Sequence, residues 1–260
     1  MSHLKHSDYR IVIPARMASQ RLPGKPLAML AGKSLLEHVF HCAQRSAASS
    51  VVIATDDAKI YSHAEGFGAS VLMTSPDHQS GSDRIAEVVA SLDWPDESIV
   101  VNLQGDEPLM PAACLDQVAA LLAADSTADM ASLYWPIDNE AEARDPNVVK
   151  AVVSNAGKAL FFSRSLLPYP RGWGSVDEAI SAGMRWYRHI GLYAYRAGAL
   201  RRFSQLASTP LEQAEKLEQL RVLETGGSIA MALACEHIPA GIDTPEDLER
   251  VENIMIKNIR

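Results

Sequence analysis

The sequence predicts an α/β protein with an open, mostly parallel, doubly wound sheet and a smaller mixed lobe attached to it. Two observations carry this expectation. Short β-branched runs recur through the first 130 residues, each followed by a segment with helical spacing. Polar loops rich in glycine or proline stand where those runs end, and ligands of such sheets gather at the carboxyl ends of the strands. At 260 residues, 47% hydrophobic and 22% charged, the chain has enough apolar surface for one large core with a small appendage.

The elements follow in order. Ile11-Val12-Ile13 reads as a buried strand, and Leu35, Leu36, Val39, Phe40 and Ala43 give a helix to about Arg45. Val51–Ala54 and Ser70–Met73 are further strands, with a short helix through Ile60 and Ala64 between them. Ile85, Val88, Val89 and Leu92 mark a helix, Ile99-Val100-Val101 a fourth strand, and Leu115, Val118, Ala119 and Leu122 the next helix. After Ala131 the pattern changes. Val148–Val153 and Ala159–Phe162 read as extended segments around an Asn155-Ala-Gly157 turn, and Pro168–Gly183 as a flexible connection. Ile190–Tyr195 alternates like a strand, and helices are expected around Leu200–Leu206 and Pro210–Leu223. Thr244-Pro-Glu-Asp247 starts a last helix, with Thr as cap, Pro at the first position and an acid at the third. These elements divide into an α/β part with the candidate nucleotide loops (1–130), a smaller mixed lobe that supplies a dimer surface or a second substrate pocket (131–235), and a C-terminal loop and helix (236–260) that return to the first part.

Bulk properties exclude several classes. A net charge of −8 argues against long nucleic acid as a partner. Cys42, Cys114 and Cys235 are widely spaced and lack a CxxC pair, so they read as buried thiols of a reducing compartment, without a zinc site or a disulfide framework. The leader Met1–Asp8 has no apolar stretch and no run reaches membrane-spanning length, which points to a cytoplasmic protein.

The chemistry concentrates in three loops. Arg16 to Pro26 carries Arg16, Arg21 and Lys25 with Gly24 directly after the first strand, which suits a triphosphate cradle. Two other phosphate motifs fail. A Walker A loop ending in Gly32-Lys33-Ser34 would need glycine at Leu27, and Gly66-Phe67-Gly68 meets Val71 where a dinucleotide fingerprint needs glycine or alanine. Asp106, just past a strand and facing the cradle, suits Mg²⁺, which takes one or two carboxylates and fills its shell with water and phosphate oxygens. Asp243 is a second acid, and from the residues alone a local turn role fits it better than a metal ligand. Ser80-Gly81-Ser-Asp-Arg84 fits either a base or ribose contact or a capped helix start. His189 fits a structural histidine as well as a ligand, and Glu218 and Gln219 on a helix would by default be solvated.

Taken together, the segments resemble the 3-deoxy-manno-octulosonate (Kdo) cytidylyltransferase family. They are Ile13–Arg16, Arg21–Pro26, Ala54–Asp57, Asp77–Gly81, Asn102–Pro108, Phe162–Arg164, Arg188–Gly191, Leu217–Leu220 and Asp243–Asp247, in one order along the chain. The resemblance implies a nucleotide-diphospho-sugar transferase-like fold and a Mg²⁺-dependent reaction of CTP with Kdo. The products are pyrophosphate and CMP-Kdo, the latter a precursor for lipopolysaccharide, and the enzyme is a homodimer. It also implies roles. Arg16, Arg21 and Lys25 hold the triphosphate, with Arg16, Lys25 and Asp106 as the catalytic groups. Ser80, Gly81 and Arg84 surround the cytidine, and Gln104 reaches the sugar side. Asp106 and Asp243 hold the metal, and Arg164, His189, Glu218 and Gln219 line the sugar pocket. The stretch Pro168–Met184 matches no family motif. A cytidylyltransferase for another sugar acid, or a silent nucleotide-binding protein of this fold, are the alternatives.

Overall fold

The computed structural model describes residues 8–18, 21–78 and 80–259. Most of the leader, together with Ser19, Gln20 and Gln79 of the quoted loops, lies outside the described residues. The first half contains β1 (Tyr9–Ala15), β2 (Met29–Leu30), β3 (Lys33–Ser34), α1 (Leu35–Gln44), β4 (Ser50–Thr55), α2 (Ala58–Gly66), β5 (Ser70–Met73), α3 (Gly81–Ser91), β6 (Ile99–Asn102) and α4 (Ala112–Ala124). The second contains β7 (Met130–Ile137), α5 (Glu140–Arg144), β8 (Lys150–Val153), β9 (Ala159–Ser163), α6 (Val176–Ser181), β10 (Trp186–Arg196), α7 (Ala197–Ser204), α8 (Pro210–Glu215), α9 (Leu220–Glu224), β11 (Ile229–Leu233) and α10 (Pro245–Ile259).

The main sheet has the order β11-β7-β10-β6-β1-β4-β5. Strand β10 runs antiparallel to both β6 and β7, while the other pairs along this path are parallel. The mostly parallel α/β sheet is therefore as the sequence predicts. Side-chain alternation along β1 shows how both faces are covered. Ile11 and Ile13 join a core with α1, α2, α4 and α10, while Val12 joins a second core with α3, α7 and α9. The β8–β9 hairpin attaches through Arg188 opposite Lys150. Among the described residues no helix is long and apolar enough to cross a membrane.

Residues 131–235 contribute β7, β10 and β11 to the main sheet, besides the hairpin and a separate small core. That core holds Ile137, Ala143, Val176, Ala179 and Trp186. The connection expected to be flexible is in fact partly helical: α6 lies within it, capped by Ser175, whose hydroxyl accepts from the Glu178 amide at 3.0 Å. Burial of Val176 and Ala179 overrides the local glycines and prolines. The long helix expected over Pro210–Leu223 is also broken. Lys216 adopts a left-handed conformation, and the chain turns through Leu217–Gln219 before α9.

An ion pair fastens that turn. Arg221 donates through Nε to Glu212 Oε2 at 2.8 Å and through its terminal nitrogen to Oε1 at 2.5 Å, with both side chains largely buried. Its guanidinium also lies 4.5 Å from the centre of the Phe203 ring. Burial raises the Glu212 pKa, but the bonds from Arg221 outweigh it and the net shift is below the ordinary 4.5. A depressed carboxyl contributes stability that is present above its unfolded pKa and lost as pH falls through the folded one. Unfolding free energies of the protein and of Glu212→Gln from urea titration should therefore differ at neutral pH by about 1–3 kcal/mol and converge as pH falls below 4.5 through the depressed folded pKa of Glu212. A gap independent of pH would rule out this origin.

Candidate active site

The site forms where β1, β4 and β6 end. Gly24 has φ +70°, a conformation that side chains rarely adopt, and it turns the loop into a single 3₁₀ turn over Lys25–Leu27. The turn places Lys25 against two acids that lie 137 residues apart in the chain. Its Nζ donates to Asp106 Oδ2 at 2.6 Å, to Asp243 Oδ1 at 3.0 Å and to the Ile242 carbonyl at 2.9 Å. Arg21 pairs with the other oxygen of Asp243 at 2.9 Å.

The backbone holds both acids. The Leu103 amide donates to the Val12 carbonyl, extending the β6–β1 ladder past the end of the strand. A Cβ on Gly105 would come within 3.0 Å of the Pro14 carbonyl oxygen, so only glycine lets the loop pass that close. The Ile242 amide then donates to the Asp106 carbonyl at 2.9 Å, joining the two acid-bearing loops. Asp243 itself precedes the predicted capping box of α10. There the Asp247 amide donates to the Thr244 hydroxyl at 3.2 Å, and the Asp247 carboxylate accepts from the Thr244 amide at 3.1 Å.

Electrostatics follows from this geometry. Burial pulls the Lys25 pKa down, but Asp106 and Asp243 outweigh it and the net shift is upward, so the ammonium is held charged. Burial, with the Asp106 and Asp243 charges, pushes the Glu107 carboxyl up to about 8. Asp106, Asp243 and the Ile242 carbonyl thus converge their oxygens on one cation. Such hard oxygen donors suit Mg²⁺, and two protein carboxylates are what it ordinarily takes. Around them lies a cavity of about 840 Å³, lined by Arg16, Arg21, Lys25, Gln104, Asp106 and Asp243 among others. A smaller pocket of about 120 Å³ shares Pro14, Ala15, Arg16 and Gln104 with it and adds His78, Ser80, Gly81 and Arg84.

Ser80 both caps and lines. Its hydroxyl accepts from the Asp83 amide at 3.1 Å, so the capped helix start is real, and the same residue faces the smaller pocket. The Arg84 guanidinium is nearly fully buried, paired with Asp56 at 2.6 Å and bonded to the Thr74 hydroxyl. It shapes the wall by tying α3 to the ends of β4 and β5. Asp56→Ala would leave that charge buried and unpaired, and should lower unfolding stability by about 3–5 kcal/mol in denaturant titration. A loss within experimental error would mean water reaches Arg84.

The four residues assigned to a sugar pocket do not line either cavity; Glu218 and Gln219 line a separate small pocket of about 20 Å³ with Tyr193 and Tyr195, and His189 lies on the far side of Tyr193. His189, Tyr193 and Tyr195 lie in sequence along β10, with ring separations of 5.3 and 5.9 Å. Ser82 lies 3.4 Å from the Tyr195 hydroxyl and donates to Glu218 Oε2 at 3.1 Å. Gln104 Nε2 donates to the side-chain oxygen Oδ1 of the buried Asn102 at 3.2 Å, linking this row to the main cavity. Burial overrides the expectation of solvated residues at 218 and 219. Gln219 is 6% exposed, and burial raises the Glu218 pKa. Among the described residues Glu218 Oε1 and Gln219 Nε2 have no hydrogen-bond partner, an unfavourable state for buried polar atoms unless a ligand or water meets them.

His189 is neutral, because burial pulls its pKa down to about 3. The Ser132 hydroxyl donates to the Ile190 carbonyl at 2.9 Å and so accepts from His189 Nε2 at 3.1 Å, which leaves Nδ1 as an acceptor. Arg164 is bound elsewhere. It donates through Nε to the Glu215 carbonyl at 2.7 Å and through Nη1 to the Pro146 carbonyl at 2.9 Å. Asp56, Ser82, Asn102, Tyr193 and Tyr195 were not anticipated as site residues, although Asp56, Ser82 and Asn102 stand inside quoted segments.

A strand-end cavity with basic and acidic loops on this sheet is the framework of a nucleotidyltransferase. Residues 10–232 match the family model described as Cytidylyltransferase. A 3-deoxy-manno-octulosonate cytidylyltransferase of Nitrosococcus oceani is 49% identical over 259 residues, covering 97% of this chain and 98% of the relative. One of Pseudomonas fluorescens is 50% identical over 250 residues, covering 96% and 98%. A solved CMP:2-keto-3-deoxy-manno-octonic acid synthetase in complex with CTP superposes with a TM-score of 0.89 at 39% identity, covering 97% of this chain and all of that one. A 4-diphosphocytidyl-2C-methyl-D-erythritol synthase, at 15% identity and a TM-score of 0.62, shares the fold over 95% of this chain and 99% of its own. The protein is a nucleotidyltransferase of the cytidylyltransferase class. Within that class, the chain belongs to the 3-deoxy-manno-octulosonate cytidylyltransferase family.

Proposed function

We propose that the protein transfers the cytidylyl group of CTP to Kdo in a Mg²⁺-dependent reaction, releasing pyrophosphate and supplying CMP-Kdo for lipopolysaccharide. The observation that carries this reading is the convergence of Arg16, Arg21 and Lys25 with Asp106 and Asp243 around one cavity, in a chain of this family. The three cations bind and orient the triphosphate, and charge growing on the departing pyrophosphate meets Arg16 and Lys25. Asp106 and Asp243 hold the metal, which when bound neutralises phosphate charge and eases loss of the proton from the attacking hydroxyl. Lys25 then leaves the two carboxylates for the phosphates. Ser80, Gly81 and Arg84 bound the cytidine pocket, and Gln104 stands between the two substrates.

The orphaned atoms of Glu218 and Gln219 support placing the sugar acid beside them. His189 Nδ1 accepts a hydrogen bond from a sugar hydroxyl there. Since it carries no charge, the sugar carboxylate falls to Arg164, whose guanidinium must first give up one of its carbonyl partners. Transfer then rests on alignment of the two substrates more than on an acid–base relay.

The same reading places the protein in the cytoplasm as a homodimer. Leu160 on β9, with Tyr169, Trp173 and Met184 around α6, presents apolar side chains at the surface for a second copy. Light scattering at micromolar concentration checks the dimer, and a monomer would overturn it.

Pyrophosphate release is measured with Mg²⁺ and CTP, with and without Kdo, using sialic acid and the other nucleoside triphosphates as controls. Release that requires CTP, Kdo and metal together supports the proposal. Release with a different sugar acid alone would retain the nucleotide half and overturn the sugar assignment. CTP binding without any release would indicate a silent binding protein.

A further inference from the structure

The cysteines at 114 and 235 were expected to be unrelated thiols, yet their sulfurs lie 3.7 Å apart. Cys114 is on the first turn of α4 and is buried, whereas Cys235 is exposed in the segment that follows β11. The approach is held from both sides. Gln117, one turn along α4 from Cys114, donates to the Leu233 carbonyl at 2.7 Å and accepts from the Cys235 amide at 2.8 Å. The Cys114 thiol also points at the Glu236 carbonyl, 3.8 Å away. The backbones on either side are therefore fixed to each other, and closing the sulfurs to bonding distance needs little more than side-chain rotation.

We propose that Cys114 and Cys235 are a redox-sensitive thiol pair that closes to an intramolecular disulfide when the protein meets a peroxide. Cys235, the accessible partner, attacks the peroxide first. Its sulfur takes up the oxygen to become a sulfenic acid, and the peroxide leaves as water. The Cys114 sulfur then displaces that hydroxyl. The S–S bond forms, the Cys114 proton departs with the hydroxyl as a second water, and two thiols have been oxidised by one peroxide. Burial pushes the Cys114 thiol up to about 12, which keeps it from reacting with the peroxide itself, and its attack on the sulfenic acid rests instead on the 3.7 Å approach of the two sulfurs. In a reducing compartment such bonds are transient and report oxidant, and a thiol reductant reverses this one.

The position gives the bond its consequence. Cys114 follows the loop that carries Asp106, and Cys235 precedes the loop that carries Asp243. A covalent link fastens both loops at their roots, and in closing so large a ring it restricts the unfolded chain strongly.

The test uses the whole protein treated with stoichiometric hydrogen peroxide, followed by intact-mass measurement and peptide mapping. The expected result is loss of two hydrogens, a 114–235 linked peptide, and a rise in melting temperature of about 5–10 °C that dithiothreitol reverses. Hydrogen exchange across residues 236–243 should slow in the oxidised form. Cys114→Ser should abolish the link and leave Cys235 to oxidise further to sulfinic acid. The proposal is overturned by intermolecular Cys235 dimers as the main product, or by sulfinic acid at Cys235 in the unsubstituted protein with Cys114 still free. Because neither cysteine touches the nucleotide cavity, the result stands or falls separately from the assignment of substrates.

Discussion

Asp106→Asn is expected to lower turnover about a thousandfold while leaving the fold intact. The change is nearly isosteric, and the backbone bonds that place residue 106, from Ile242 to its carbonyl and around Gly105, do not involve the side chain. What disappears is one of two negative charges that converge on a single cation. On the proposed mechanism, one remaining carboxylate would hold the metal more weakly and leave the triphosphate less well screened at the moment pyrophosphate departs. The measurement is pyrophosphate release against Mg²⁺ concentration, with a melting curve beside it. A loss that high Mg²⁺ fully restores would assign Asp106 to metal affinity alone. Near-normal turnover at ordinary Mg²⁺ would remove it from the metal site.

Lys25→Met should act in two opposed directions. Turnover is expected to fall about a hundredfold or more, since the ammonium no longer meets the triphosphate in the transition state. In the nucleotide-free protein, however, the same ammonium occupies the point between Asp106 and Asp243 where a metal would bind, at 2.6 and 3.0 Å. Removing it leaves two facing carboxylates with one partner fewer, so Mg²⁺ alone should bind more tightly than to the unsubstituted protein. Calorimetry without nucleotide reads the second effect independently of catalysis. Weaker metal binding in the variant would mean that Lys25 organises the acids rather than competing for them.

The two halves of the site were legible to different degrees, and the reason is physical. Arg16, Arg21, Lys25 and Asp106 lie in loops directly after β-branched strands, so strand periodicity alone delivers them to one edge of a sheet. Asp243 could be placed only through the family resemblance, because nothing local distinguishes it from an acid beside a helix cap. Glu218 and Gln219 read as solvated because their neighbours suggest a helix. The left-handed Lys216 breaks that helix, and packing against α3 and β10 buries both side chains. Strands β7 and β11 escaped notice for compositional reasons. The first contains Ser132 and Pro136, and the second is Ile-Ala-Met-Ala-Leu, with few β-branched residues to mark it. The thiol pair was invisible for a simpler reason: 121 positions separate its members.

The antiparallel strand β10 has a consequence for how the chain comes to be folded. It lies between β6 and β7, yet it is synthesised after both, as residues 186–196. Until it emerges from the ribosome, β6 presents an unpaired edge formed by Ile99, Val100, Val101 and Asn102, all of which are buried in the finished protein. An exposed apolar edge of this kind invites pairing with another nascent chain. A fragment ending near residue 125 would therefore aggregate rather than fold as a unit, although it contains Arg16, Arg21 and Lys25 of the first loop. The contacts that complete the sheet are long in sequence, so folding should be slow for a chain of this size. The late strand also carries His189, Tyr193 and Tyr195, so the proposed sugar side of the site cannot assemble before the sheet itself has closed.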